Sequence, residues 1–351
     1  MKSHYVLKRV MFFLFLIIIP LFSISCTIQK QNNQALIKDF KNVILIGWDG
    51  VQREHLYELI NQEKLPNLER LYNEGAIVNI TITTGETETK PGWAEILTGY
   101  NSEILGIYSN EDYKPIPKGY TIFERLENHF GKDNIAAIFM GGKSNNLGAR
   151  GPHKICINCI HRYKDSKMKT YWWEENTSAP TITPGEERIF EEREGEPYYY
   201  TKDILELYLT GLGNSSNVGA EAIRTLEKYK DKRFFAFFHF EEPDELGHIY
   251  GENSKEYSQG IITDDLWLGK IVEKLKELGI YDETLIYVTS DHGFDEDQDR
   301  HSNAPYVFLA TNDPKIKTNG DRKDITPTIL SKYGFGLEKI EPKLDGKSEF
   351  T

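Results

Sequence analysis

Cysteine is nearly missing from this chain, with three among 351 residues, which excludes a disulfide-built scaffold. Positive charge is short as well. Lys and Arg number 42 against 54 Asp and Glu, a net charge of −12. The bulk field therefore repels nucleic acid, and no nucleic-acid surface is expected. No segment repeats. Beyond residue 25 no apolar run is long enough to span a bilayer. What is present points to a folded domain. Apolar residues make up 39% and aromatics 12%, enough to bury a sizeable core. The 27% of charged residues fits a globular protein rather than a disordered one. The length suits two average domains, or one large α/β domain with an insertion.

Residues 1–25 read as a signal peptide. Lys2, Lys8 and Arg9 form a positive head, and Val10 to Phe22 is apolar except for Pro20, too short for a comfortable span. Ser23, Ile24 and Ser25 then lead to Cys26. This stretch resembles a bacterial lipobox, whose cysteine becomes the lipidated N-terminus, although Ser23 stands where an aliphatic residue is usual. The expectation is an exported cell-envelope lipoprotein, periplasmic or on the outer surface, held to the membrane through Cys26. Cleavage to a soluble secreted protein and retention as an anchor are the alternatives. Removal of residues 1–25 leaves 326 residues with a net charge of −15. Residues 26–41 read as a polar tether.

The catalytic domain is expected over residues 42–351. Asn42–Trp48 is a short, continuous apolar run without alternation, the mark of a strand buried on both faces. Ile135–Met140, Phe234–Phe240 and Thr284–Ser290 look alike, and Pro305–Ala310 is a weaker fifth. Helical patterns over Pro66–Gly75, Val218–Tyr229 and Ile261–Leu278 lie between them. Strands alternating with helices predict an α/β fold with a mostly parallel central sheet flanked by helices. Residues 141–200 lack a period and read as an inserted cap segment. Its first half, Lys143–Lys169, carries seven Lys/Arg and one acid; its second, Glu174–Glu196, carries eight Glu and two Arg. The halves either neutralise each other or leave a basic lip for an anionic substrate.

Ligands of open α/β sheets bind beyond the carboxyl ends of strands. Asp49 follows the first run, Asp244 and His248 follow Phe234–Phe240, and Asp291 and His292 follow Thr284–Ser290. His301 comes nine residues later. Any one of them alone would be a turn residue, a helix cap or a surface pair. Delivered together to one edge, they form an oxygen and imidazole set that suits two Zn²⁺ or Mn²⁺ ions. Thr89 precedes Pro91 and an apolar helical stretch, which places its hydroxyl at a helix N-terminus, where an anion is favoured. It is either a simple cap or a nucleophile activated by a neighbouring cation.

With IGWDG, TKPGWAEILTGYNSEILGI, EEPDELGH and TSDHGF in this order from residue 46 to 301, the sequence resembles the alkaline phosphatase superfamily. It is most similar to the type I phosphodiesterase/nucleotide pyrophosphatase branch. The resemblance implies an alkaline phosphatase-like fold and one zinc held by Asp49, Thr89, Asp291 and His292. A second zinc would be held by Asp244, His248 and His301. It also implies Thr89 as the catalytic nucleophile and Asn110, within GIYSN, as a phosphate-oxygen donor. The substrate class is then a small phosphate ester. Two features depart from the branch. Lys90-Pro91-Gly92-Trp93 replaces the usual Phe-Pro-Asn after the nucleophile, and the last histidine, His301, lies close to His292, as in phosphopentomutase and the compact phosphatases.

The substrate expectation is a diester over a monoester. A monoester dianion calls for an extra cation after the nucleophile, whereas Trp93 supplies only an apolar face for a diester's second substituent. Lys90 is the counter-argument, turned either toward the phosphate or to solvent. Phosphomonoester hydrolysis, phospho-group transfer to an alcohol and a non-catalytic lipoprotein are the alternatives. Cys156 and Cys159, flanked by His153 and His161, form either a disulfide or a structural zinc site. His239 reads as a satisfied core histidine, and His55 and His129 carry no signal.

Overall fold

A computed structural model describes residues 40–348 apart from 157–159, 163–167, 171–172 and 175–188. The expected signal peptide, Cys26, most of the tether and the pairing of Cys156 with Cys159 lie outside the described residues. The central sheet has seven strands. In chain order they are β1 (Asn42–Trp48), β2 (Ala76–Thr81), β3 (Ala136–Gly141), β4 (Leu207–Leu209), β5 (Phe234–Phe240), β6 (Thr284–Thr289) and β7 (Tyr306–Thr311). Their spatial order is β2-β7-β6-β1-β5-β3-β4. The five strands from β6 to β4 run parallel. Strand β7 runs antiparallel to both β6 and β2.

The five apolar runs all become strands, within one residue of their expected ends. Their lack of alternation has its cause in burial on both faces. Val43, Leu45, Phe235 and Phe237 join one core, while Ile44, Ile46, Phe238 and Phe240 join the other. Each fully buried side chain of this size contributes about 1.5–3 kcal/mol. The first core is closed by α1 (Thr89–Thr98), α2 (Ile122–Phe130) and α3 (Ile325–Lys332). Helices Arg53–Asn61, Pro66–Glu74, Ser215–Tyr229 and Lys255–Glu277 close the second. The expected inserted segment begins as β3 ends. It carries a small sheet of His153–Cys156 between Trp173–Glu174 and Phe190–Arg193, and a two-stranded pair, Ile160–Arg162 with Met168–Thr170. Among the described residues no helix is long and apolar enough to cross a membrane.

One close approach ties the central strand to the helix that begins at Thr89. Gly47 of β1 lies against the fully buried indole of Trp93, and a Cβ at Gly47 would stand 2.3 Å from that ring. Overpacking of this kind typically costs about 1–3 kcal/mol. Gly47→Ala is therefore expected to lower the urea midpoint by that free energy, and Trp93→Phe in the Gly47→Ala background to recover part of it. An unchanged midpoint would show that the indole is free to move aside.

Candidate active site

The site lies at the carboxyl edge of the parallel strands. Asp49 follows β1, Asp244 lies on the helix Glu242–Tyr250 just after β5, and Asp291 and His292 follow β6. Asp49, Asp291 and His292 are fully buried; Asp244 and Thr89 are nearly so. The Asp49 turn is laced to its neighbours. The Asp49 amide extends the ladder to the Phe240 carbonyl at 2.9 Å. The Gly50 amide donates to Asp291 Oδ1 at 3.3 Å, and the Val51 amide to Ser290 Oγ at 2.9 Å. Tyr257 donates to the Gly50 carbonyl at 2.6 Å. Gly50 itself sits at φ +71°, with Asp244 where a Cβ would be. A side chain there would be both strained and in collision.

All seven expected metal donors come together, as a group of four around His292 and a group of three around His248. His292 Nε2 lies 3.6 Å from Asp49 Oδ1, 3.5 Å from Asp291 Oδ2 and 3.5 Å from Thr89 Oγ1. His248 Nε2 lies 3.5 Å from Asp244 Oδ1 and 3.2 Å from His301 Nε2. His301 stacks on His292 at 4.0 Å, which joins the two groups. Asp244 stands between the groups. It shares one cluster with His248 and His301 and another with Asp49 and His292.

Two observations fit this set to metal ions. First, Asp49 Oδ1, Asp244 Oδ1 and Asp291 Oδ2 are buried without a hydrogen-bond partner, a costly arrangement unless a cation meets them. Second, each histidine bonds a backbone carbonyl through Nδ1. His248 reaches Asp299 at 2.8 Å, His292 reaches Gly293 at 2.9 Å and His301 reaches Thr87 at 2.5 Å. A carbonyl accepts only, so Nδ1 carries the proton and Nε2 presents a lone pair to the centre. The facing Nε2 atoms of His248 and His301 then repel each other unless a cation lies between them. Burial lowers His292 to about 3 and also lowers His301, which keeps both rings neutral, as ligands must be.

Thr89 opens α1. The Asn110 carboxamide oxygen accepts from the Lys90 amide at 2.9 Å and from Asn146 Nδ2 at 3.4 Å. Glu88 in turn holds the Asn110 amide at 2.5 Å. This fixes the Asn110 amide orientation and leaves Nδ2 as its remaining donor. Pro91 has no N–H, so of the first-turn groups expected to face a substrate oxygen, the Thr89 amide is the one left.

Two expectations need correction. Trp93 offers no face to a substituent. It is fully buried, donates to Asp49 Oδ2 at 3.4 Å, and packs against Phe237 and His239. Lys90 is nearly buried rather than turned to solvent. Its ammonium donates to the Asn110 carbonyl at 2.5 Å and lies 4.0 Å over the Tyr113 ring. Burial lowers it to about 8.

Four further residues complete the site. Lys143, after β3, lies 2.9 Å from Asp49 Oδ2, 2.6 Å from Asp244 Oδ2 and 3.1 Å from Thr89 Oγ1. Burial alone would raise the Asp49 carboxyl, but Lys143 and then His239 overcome this and hold it below the usual range. Asp291 goes the other way, raised by burial and by the charge of Asp49. His239 is the buried core histidine expected, and its Nε2 bonds Asp49 Oδ2 at 2.6 Å. Beneath the site, Arg322 and Glu95 form a fully buried ion pair at 2.7 Å. Arg322 also donates to the carbonyls of Asp291, Thr84 and Glu86 at 3.0–3.2 Å, which joins the Asp291 turn to the loop before Thr89. The rule of strand ends applies to Lys143 too; Arg322 and Glu95 carry no sequence signal.

Removing one partner of a buried ion pair typically costs about 3–5 kcal/mol. Arg322→Met is expected to lose that much in urea denaturation, and Arg322→Met with Glu95→Met to regain most of it. Equal losses in the single and double variants would show that the carbonyl contacts, not the pair, hold this junction.

Residues 43–342 match the family described as type I phosphodiesterase/nucleotide pyrophosphatase. The bis(5'-adenosyl)-triphosphatase enpp4 of Mus musculus is 26% identical over 285 residues, covering 81% of this chain and 53% of that protein. This chain thus spans about half the length of that relative. Murine ectonucleotide pyrophosphatase/phosphodiesterase 5, in an inactive form in complex with AMP, superposes with a TM-score of 0.52 at 15% identity, covering 84% of this chain and 95% of the other. The putative sulfatase yidJ from Bacteroides fragilis gives 0.52 at 15% identity, covering 89% and 77%. The fold is that of the alkaline phosphatase-like enzymes, and the chain belongs to the type I phosphodiesterase/nucleotide pyrophosphatase family.

Proposed function

We propose that this protein hydrolyses phosphodiester or pyrophosphate bonds of small, nucleotide-like esters, with Thr89 as the nucleophile. The observation that carries the reading is the position of Thr89 Oγ1. It opens a helix, nearly buried, 3.5 Å from a neutral histidine nitrogen and beside three carboxylates with unpaired oxygens. Family membership supports the reaction class, and the relatives named for bis(5'-adenosyl) triphosphate hydrolysis and solved with AMP support a nucleotide-like ester.

Asp49, Thr89, Asp291 and His292 would hold one divalent ion, and Asp244, His248 and His301 the other, Zn²⁺ being favoured by the imidazole-rich set and Mn²⁺ being the alternative. Bound, the pair supplies Lewis acidity to the attacking and leaving oxygens and an activated water. The chain's own residues do the rest. The hydroxyl of Thr89 loses its proton and its oxygen bonds phosphorus in line, while the ester bond to the leaving group breaks. Water then cleaves the Thr89–phosphorus bond and restores the hydroxyl. Asn110 Nδ2 and the Thr89 amide hold unbridged oxygens. Asn110 keeps its aim because Lys90, Asn146 and Glu88 bind its other groups. The segment around Lys2, Lys8, Arg9 and Cys26 supports export to the cell envelope with a lipid anchor.

Protein loaded with Zn²⁺ is expected to hold about two equivalents by elemental analysis. Thr89→Ala is expected to retain most of that zinc and its fold while turnover of bis(4-nitrophenyl) phosphate falls by several kcal/mol of barrier, roughly a thousandfold or more. Activity above a few per cent in this variant would mean that water attacks phosphorus directly.

A further inference from the structure

In sequence, Lys90 is the one cation after the nucleophile that could meet a monoester's extra charge, and the expectation is diesters over monoesters; the folded site has another cation, brought from the loop after β3. Among the described residues, Lys143 is the cation in contact with Thr89 Oγ1. Its ammonium also reaches Asp49 and Asp244, one carboxylate from each set of expected metal ligands. The lysine is built in. The Gly142 amide donates to the His239 carbonyl at 3.0 Å, the Gly213 amide to the Gly142 carbonyl at 3.2 Å, and the Gly211 amide to the Lys143 carbonyl at 3.4 Å. A Cβ at Gly142 would meet the Gly213 carbonyl oxygen at 2.7 Å, so the loop passes with no room to shift. Asn146 of the same loop bonds Asn110. The loop thus sets one donor on the nucleophile and another on the residue expected to hold substrate oxygen. Lys90, the sequence's candidate for the extra charge, is spent on Asn110 and Tyr113.

We propose that Lys143 donates to an unbridged oxygen of the phosphoryl group attacked by Thr89, and that it admits substrates whose transferred group is a dianion, namely phosphate monoesters. The proposal rests on Thr89 being the nucleophile of a two-ion site. Lys143 adds one positive charge beside the attacking oxygen, and a monoester carries one more negative charge than a diester. An ammonium placed within hydrogen-bond reach of the attacking oxygen also lies beside the phosphorus that oxygen meets. The step is plain hydrolysis. The Thr89 hydroxyl gives its proton to solvent as its oxygen bonds phosphorus and the ester bond breaks, the leaving group takes a proton back from solvent, and one water then cleaves the Thr89 oxygen–phosphorus bond, its proton restoring the hydroxyl and its oxygen leaving in inorganic phosphate.

The test compares the full chain, loaded with Zn²⁺, with Lys143→Met and Lys143→Arg. The readouts are kcat/KM on 4-nitrophenyl phosphate and on bis(4-nitrophenyl) phosphate. Calorimetry with inorganic phosphate is run in the Thr89→Ala background, and zinc content is measured throughout. A hydrogen bond to a charged group is worth about tenfold or more in binding. Lys143→Met is therefore expected to lower the monoester-to-diester ratio of kcat/KM by at least about tenfold, and to weaken phosphate by a similar factor with zinc retained. Lys143→Arg is expected to recover part of both. An unchanged ratio and unchanged phosphate affinity, or equal loss of both activities together with zinc, would overturn the proposal and leave Lys143 as a counter-ion to the carboxylates. A wild-type protein that cleaves the diester but not the monoester would overturn it too, with the diesterase reading intact. If the wild type cleaved neither, that reading would fail, and the phosphate affinities would still decide the role of Lys143.

Discussion

Three carboxylates buried at one point constrain the rest of this molecule. Asp49, Asp244 and Asp291 are drawn to the same edge by three neighbouring parallel strands, and each leaves an oxygen without a hydrogen-bond partner. Like charges out of water at such spacing are strongly unfavourable. The structure answers with a lysine between two of them, a histidine against Asp49, and three imidazoles whose protons are turned outward to carbonyls. These contacts offset part of the charge and leave the unpaired carboxylate oxygens for a cation.

The scaffold fixes where the Thr89 hydroxyl stands against that centre. The helix that begins at Thr89 is fixed from below by Trp93, packed under Gly47 and donating to Asp49, and by the Glu95–Arg322 pair. The pair reaches the Asp291 turn and the loop before Thr89 at once. Thr89 is therefore tied both to the strand that carries Asp49 and to the turn that carries Asp291. On the open side, His301 comes from a loop held by the Glu252 amide on the Gln298 carbonyl and the Gly293 amide on the Ala304 carbonyl. His248 and His301 are half-buried there, whereas Asp49, Asp291 and His292 are fully buried.

The sheet and the donors were legible because one physical rule covers both. Strands buried on both faces read as unbroken apolar runs, and the residue after each run falls at the binding edge. The edge strands β2 and β4 escape this rule, since β2 is only part-buried and β4 is three half-buried residues. Lys143 obeys it, for Gly141-Gly142-Lys143 follows Ile135–Met140, but it was read as part of the insertion's charge. Trp93 could have been placed, because it stands four residues after Thr89 and shares its helical face, with Ile96 and Leu97 in the core. The direction of Lys90 could not, since it depends on Tyr113 and the Asn110 carbonyl, whose approach is set by the fold. A pairing such as Glu95 with Arg322, 227 residues apart, leaves no local mark in a sequence.

The most direct test of the account is to quench turnover of bis(4-nitrophenyl) phosphate in acid within the first catalytic cycle and map the protein by mass spectrometry. The account requires a nitrophenylphosphoryl adduct on Thr89 in the zinc-loaded protein, and its absence from Thr89→Ala. An adduct on another residue, or none at any time point while product accumulates, would contradict it.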